Sequence, residues 1–271
     1  MSKISKLVER EKNQLSEEEQ KLLNASPLSR EFVDLVRKKG QNDEGVIFLL
    51  ENLTPLGWKV FSENHHHSFS EDVQKKIVLS NDLEKFKVCL KRWKFKLCNE
   101  AQALMFTLPD ILLLKEYIKS GHELHEDFLC NILNEPRYKE CIPMYVAKHK
   151  LPENLESDFL HSAHFAVIKQ YIHKYTDAFS GYCCQHQLIS RTYHRLFMCF
   201  VDSGKSLDKT VQEFLIECND KVLFKHYVSK NALCDEALFA LCKSENPTLM
   251  KIYLRNLIDG MTSFSPSGYM A

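Results

Sequence analysis

Residues 97–123 read LCNEAQALMFTLPDILLLKEYIKSGHE, and residues 124–150 read LHEDFLCNILNEPRYKECIPMYVAKHK. Both stretches open on a leucine, run through an acidic first turn, break at a proline, resume an apolar run and close on a basic, polar turn. In the first, Ala101, Leu104, Met105 and Leu108 stand at i, i+3, i+4 and i+7, which is one face of a helix. Pro109 ends that helix, because proline lacks an N–H and clashes inside a helical turn. Leu114, Tyr117 and Ile118 begin a second face. Lys119-Ser120-Gly121 follows it, and cations suit the negative end of a helix. Each stretch therefore reads as two short helices joined by a turn.

The pattern recurs along the chain. Leu15, Phe69, Leu97, Leu124, Leu151, Phe179, Leu207 and Leu233 each open a unit, at gaps of 54, 28, 27, 27, 28, 28 and 26 residues. The first gap is two periods, and its missing start falls at Asn42. Ser16, Ser70, Pro152, Ser180 or Asp208 follows the opening residue, as a helix start requires, with Glu17, Glu71, Glu100 and Glu126 near the positive end of the dipole. Second helices carry Ile168/Tyr171/Ile172, Phe224/Tyr227/Val228 and Met250/Tyr253/Leu254. Two helices and two turns in such a unit leave about ten residues, or about 15 Å, per helix. No alternating run bounded by Asn-Gly or Asp-Gly argues for a strand. The expectation is an all-α chain, an α-solenoid of about eight to nine antiparallel helical hairpins with a concave face made by one helix layer. Units 42–68 and 179–206 keep the pattern least well.

The repeat spans 15–258 without a Pro/Gly/Ser-rich linker and reads as one domain. Residues 1–14 are charged and read as a leading cap helix, and residues 259–271 as a flexible tail. Lys plus Arg equals Asp plus Glu, at 36 each. A neutral chain has no overall pull on nucleic acid or anionic membrane, so nucleic-acid binding is the least expected function. No apolar run is long enough to span a membrane, and the N-terminus lacks the apolar core of a signal peptide. Ten cysteines are scattered, with Cys89, Cys141, Cys199 and Cys218 among apolar neighbours. They read as reduced core thiols, which points to the cytoplasm.

In unit size and antiparallel helix pairs, the array resembles ankyrin repeats. It lacks their Thr-Pro-Leu-His signature and is about six residues too short for their β-turn finger. LCNEAQALMF and LFKHYVSKNALCDEALFAL look most like short repeats of bacterial proteins of the form Leu-Ser-x-x-Ala-Gln…Leu…Tyr-Ile. That resemblance implies a binding scaffold and carries no catalytic residue. The tail DGMTSFSPSGYMA, rich in hydroxylated and small residues, looks like the C-terminal signals of bacterial type IV secretion effectors, which implies delivery into a host cell without a cleaved signal.

Four groups of residues are candidates for function. Residues 83–97, LEKFKVCLKRWKFKL, place Phe86, Cys89, Leu90 and Trp93 on one helix face and spread Lys85, Lys87, Lys91, Arg92, Lys94 and Lys96 over the rest. Lys85, Lys87, Lys91, Arg92, Trp93 and Lys94 form the expected binding face for an acidic partner, although a solvated helix face is the plainer account. His65, His66 and His67 could offer imidazole to a metal, but a zinc site needs about four ligands and no accompanying motif is present. Cys183, Cys184, His186 and His194 could serve as nucleophile and base, or as metal ligands. Cys183 also falls in the first-helix core column with Val73, Ala101, Val211 and Ala237. Tyr117, Tyr171, Tyr227 and Tyr253 form a column that could line a groove or pack between units. No phosphate loop or nucleophile elbow appears. The expected function is a protein–protein interaction scaffold without cofactor. An enzyme using the 183–194 cluster and a nucleic-acid-binding repeat are the alternatives.

Overall fold

The unit without an opening leucine starts its first helix at Asn42, whose side-chain oxygen accepts the Gly45 N–H at 2.8 Å. The computed structural model of the chain describes residues 16–65, 68–93 and 96–263. Throughout these residues the same device starts helices. Ser16, Ser29, Thr54, Ser70, Asp208 and Asp220 each accept a first-turn N–H. Ser16 and Glu19 close a reciprocal capping box. Among the described residues there are 18 α-helices, two short 3-10 helices and no strand. The helices pair into nine hairpins, and the chain is an all-α helical-repeat protein.

The contacts divide the chain into two compact units between Phe128 and Leu129. The first holds α1 (Glu17–Asn24), α2 (Arg30–Lys39), α3 (Asp43–Asn52), α4 (Pro55–Asn64), α5 (Glu71–Leu79), α6 (Leu83–Trp93), α7 (Asn99–Thr107) and α8 (Leu112–Lys119). The division falls within α9 (Glu126–Asn134). The second holds α10 (Cys141–Val146), α11 (Glu153–Ser162), α12 (Phe165–Lys174), α13 (Tyr182–Leu188), α14 (His194–Asp202), α15 (Lys209–Glu217), α16 (Lys221–Val228), α17 (Asp235–Lys243) and α18 (Pro247–Ser263). In both units a helix packs on the helix two places along. First helices stack on first helices (α3, α5, α7; α11, α13, α15, α17) and second helices on second helices (α2, α4, α6, α8; α12, α14, α16, α18). This two-layer stacking of hairpins is the solenoid arrangement.

The turn between the helices of a hairpin has its own chemistry. Asn81, Asn219 and Glu245 sit at φ near +50°. Each lies between the last residue of one helix and the Asp or Asn that caps the next, namely Asp82, Asp220 and Asn246. Asparagine tolerates this left-handed conformation better than most side chains.

Buried side chains tie one hairpin to the next. The Gln102 amide donates to the Leu97 carbonyl at 2.8 Å, and its oxygen accepts the His125 N–H at 2.9 Å. Gln74 does the same for Phe69 and Cys98, Gln185 for Ser180 and Asp208, and Gln212 for Leu207 and Cys234. The tyrosine column completes the joint. Tyr117, Tyr171 and Tyr227 are buried, and each hydroxyl accepts the N–H of an opening residue, Leu97, Leu151 or Leu207, at 3.0–3.2 Å. The segment entering each first helix is extended backbone out of reach of water, so its polar groups need side-chain partners. These three tyrosines are thus structural, whereas Tyr253, the fourth of the column, is half-buried.

The weaker units have physical causes. In 42–68, a Cβ on Gly45 would stand 1.8 Å from the Lys39 carbonyl oxygen, so only glycine lets α3 start against the end of α2. In 179–206, Phe179 takes φ +56°, a bulge that shifts the following register by one residue. The opening Leu15 and the leading segment 1–14 lie outside the described residues. The last helix continues to Ser263, beyond the expected boundary at 258, and residues 264–271 lie outside the description. All ten cysteines are free; Cys89 and Cys141 are buried as expected, whereas Cys199 is half-buried and Cys218 exposed.

Candidate protein-docking site

The basic stretch forms α6 with its apolar stripe inward, since Phe86, Cys89 and Leu90 are buried. Two of its cations are not available as expected. Lys85 turns inward, 8% exposed, and its ammonium donates to the Leu50 carbonyl at 2.6 Å with Asp82 at 3.6 Å. Its apolar stem lies in the interior while its ammonium meets a carbonyl of α3. Lys87 pairs with Glu84 at 2.8 Å. Lys91 is exposed. The side chains of Arg92 and Trp93, and all of Lys94, lie outside the description.

The cysteine–histidine group divides among separate contacts. The bulge at Phe179 moves the core column from Cys183 to Cys184: Cys184 is buried and Cys183 exposed, contrary to the sequence register. Burial pushes the Cys184 thiol up to about 12, the opposite of an activated nucleophile. The His186 ring stacks on Phe214 at 3.7 Å, and His194 faces the Asp220 carboxylate at 3.4 Å. His65 stacks between Phe61 and Phe69, at 4.9 and 5.4 Å, while His66 and His67 lie outside the description. Among the described residues no group of three His, Cys, Asp or Glu side chains could hold a metal, and no helix is long and apolar enough to cross a membrane.

The second unit contains a different kind of site. Its second helix α10 has six residues against ten in α12, because Pro136 starts a 3-10 turn and Pro143 sits three residues into α10. The later second helices pack closely in succession, but α10 and α12 stand further apart. An open groove of about 790 Å³ lies there, lined by Pro143, Val146 and Ala147 on one side and Phe165, Ala166 and Lys169 on the other, with Tyr171, His173 and Lys174 further along. No carboxylate is among the lining residues. The Lys174 ammonium donates to the Ala147 carbonyl and lies 5.0 Å from the Tyr175 ring centre, with no carboxylate paired to it among the described residues. Arg195 lies over the Phe165 ring at 4.6 Å. The groove is apolar at one end and cationic at the other.

Beneath it the repeat's joint is altered. Where other units carry glutamine, this one carries Glu156, which has no exposure. Its carboxyl accepts the Tyr171 hydroxyl at 2.9 Å and the Phe179 N–H at 2.8 Å. Burial lifts its pKa to about 7, against the pull of those two hydrogen bonds and of Lys150. The groove and the glutamine ladder were both missed from sequence. The signals were a second proline, Pro143, seven residues after the break at Pro136, and a Gln five residues after Leu15, Phe69, Leu97, Ser180 and Leu207.

Fold and joints define a helical-hairpin repeat protein. Comparisons with protein-family models, with characterised proteins and with solved structures found no match.

Proposed function

We propose that the chain is a protein–protein interaction scaffold that binds a partner with an acidic surface. The observation that carries this reading is the α10–α12 groove, apolar within, cationic at one end and without a carboxylate in its lining. Repeat arrays whose hairpins satisfy one another's polar groups leave their outer helix faces for partners, and function lies in what those faces present. The α6 face, reduced to Lys91 among its described unpaired cations, supports the reading less. The same proposal takes ankyrin-like use of the array on the ground of unit size, action in a cytoplasm on the ground of ten free thiols, and delivery into a host cell on the ground of the composition of 259–271.

The experiment is affinity capture from cell lysate with the wild-type chain and the Lys169→Glu and Ala166→Trp variants side by side. The expected result is one enriched protein, lost in both variants. Equal capture by all three would refute the groove, and no enrichment would refute the scaffold.

A further inference from the structure

We propose that the occupant of the α10–α12 groove is a short acidic amphipathic helix of a partner protein. This rests on the scaffold reading and names the segment recognised.

The first argument is the shape of the wall. On α12 the residues facing the groove fall in two rows at i, i+4, i+8: Phe165, Lys169 and His173, and Ala166, Gln170 and Lys174. Rows at this spacing are the ridges between which another helix's side chains pack. Ala166, small and exposed near the start of α12, keeps that end of the wall low enough for close approach. The gap itself arises where one second helix of the stack is cut short, so a helix laid there continues a layer of helices.

The second argument is hydrogen bonding. Both walls are helices, whose N–H and C=O groups are bonded along their own axes. An extended peptide needs a free backbone edge for β-addition and finds none. The Ala147 carbonyl at the end of α10 is already held by Lys174. A helix satisfies its backbone internally and needs only side-chain contact.

The third argument is charge. Phe165, Ala166 and Pro143 make the apolar end, and Lys169 and Lys174 supply the positive charge toward the other. The complementary segment carries one apolar turn followed by carboxylates one turn away. Basic or neutral amphipathic helices share the apolar part and lack the second.

The test uses the full chain and a fluorescein-labelled synthetic helix of about 14 residues, roughly 21 Å long, with a Leu/Phe stripe and Glu elsewhere. Three companions are the same helix with Lys replacing Glu, the acidic helix broken by a central proline, and phosphatidylcholine vesicles containing phosphatidylserine. Fluorescence anisotropy is expected to give micromolar binding of the acidic helix. Lys169→Glu should weaken it at least tenfold and Ala166→Trp should abolish it, while Lys243→Glu, a control on α17, leaves it unchanged. Lys169 is exposed, so that variant stays informative if Ala166→Trp fails to fold. Equal binding of the Lys helix or the proline-broken peptide overturns the inference, as does binding to the vesicles alone. A protein captured through the groove without any helix binding overturns this inference and leaves the scaffold standing. Capture indifferent to Ala166→Trp, with no helix binding, overturns this inference and the groove together, and no capture at all overturns the scaffold.

Discussion

At Glu156 a single exchange of oxygen for nitrogen changes how a joint responds to pH. Glutamine at the equivalent places donates to one chain segment and accepts from the next. The glutamate, ionised, can only accept, and it is fully buried. Its pKa of about 7 against an ordinary 4.5 means that the folded chain binds the proton more tightly than the unfolded chain. Stability from this group is therefore greatest below about pH 4.5, falls as pH rises toward 7 and levels off above it, by up to about 3 kcal/mol. Glu156→Gln should be more stable than wild type at pH 8, with the two converging near pH 4.5, as read by urea midpoints. A pH-independent difference would contradict the assignment. Glu245 offers a second residue-scale test. It holds φ +49° where the matching turns use asparagine, so Glu245→Asn should raise stability by about 0.5–1 kcal/mol in thermal unfolding. The Asp and Asn caps could be read from sequence because capping depends on residues three apart. Lys85 could not, because its partner, the Leu50 carbonyl, lies 35 residues away.

At the scale of the element, apolar period and breaks fixed the helices, including the one that opens at Asn42 without a leucine. What escaped was the polar ladder. One glutamine in each of several units looks ordinary in a helical sequence. Its meaning appears only when the carbonyl and N–H of two different hairpins are brought to it. Removing it should therefore cost more than a surface substitution. Gln102→Leu leaves a buried Leu97 carbonyl and His125 N–H without their partner, and should destabilise by about 2–4 kcal/mol in chemical denaturation. Tyr117→Phe removes the acceptor of the buried Leu97 N–H and should cost about 1–3 kcal/mol. Effects below about 0.5 kcal/mol in both would mean that the ladder is not what joins the hairpins. The register error at Cys183 has the same origin as the place of Phe179 in the opening column, which the Gln185 bond shows to belong to Ser180. A bulge at Phe179, held by Glu156, adds a residue that periodicity cannot see.

For the whole molecule, equal numbers of acidic and basic residues say nothing about where charge gathers. The sequence placed the binding face on the densest run of cations, in α6. Ion pairing and burial there consume Lys87 and Lys85. The groove's lysines, Lys169 and Lys174, stand together on α12; what the packing of α10 and α12 adds is the apolar wall of Pro143, Val146 and Ala147 beside them. Helical-repeat architecture was legible because it is written in every unit. The groove was not, because it is written in the one place where a second helix is cut short.

The most direct measurement is photo-crosslinking with benzoylphenylalanine at position 166, followed by mass spectrometry of the joined segment. The account predicts a crosslink to one protein, within an acidic segment of helical spacing, that Lys169→Glu removes. Crosslinks from position 91 in α6 with none from position 166 would contradict it.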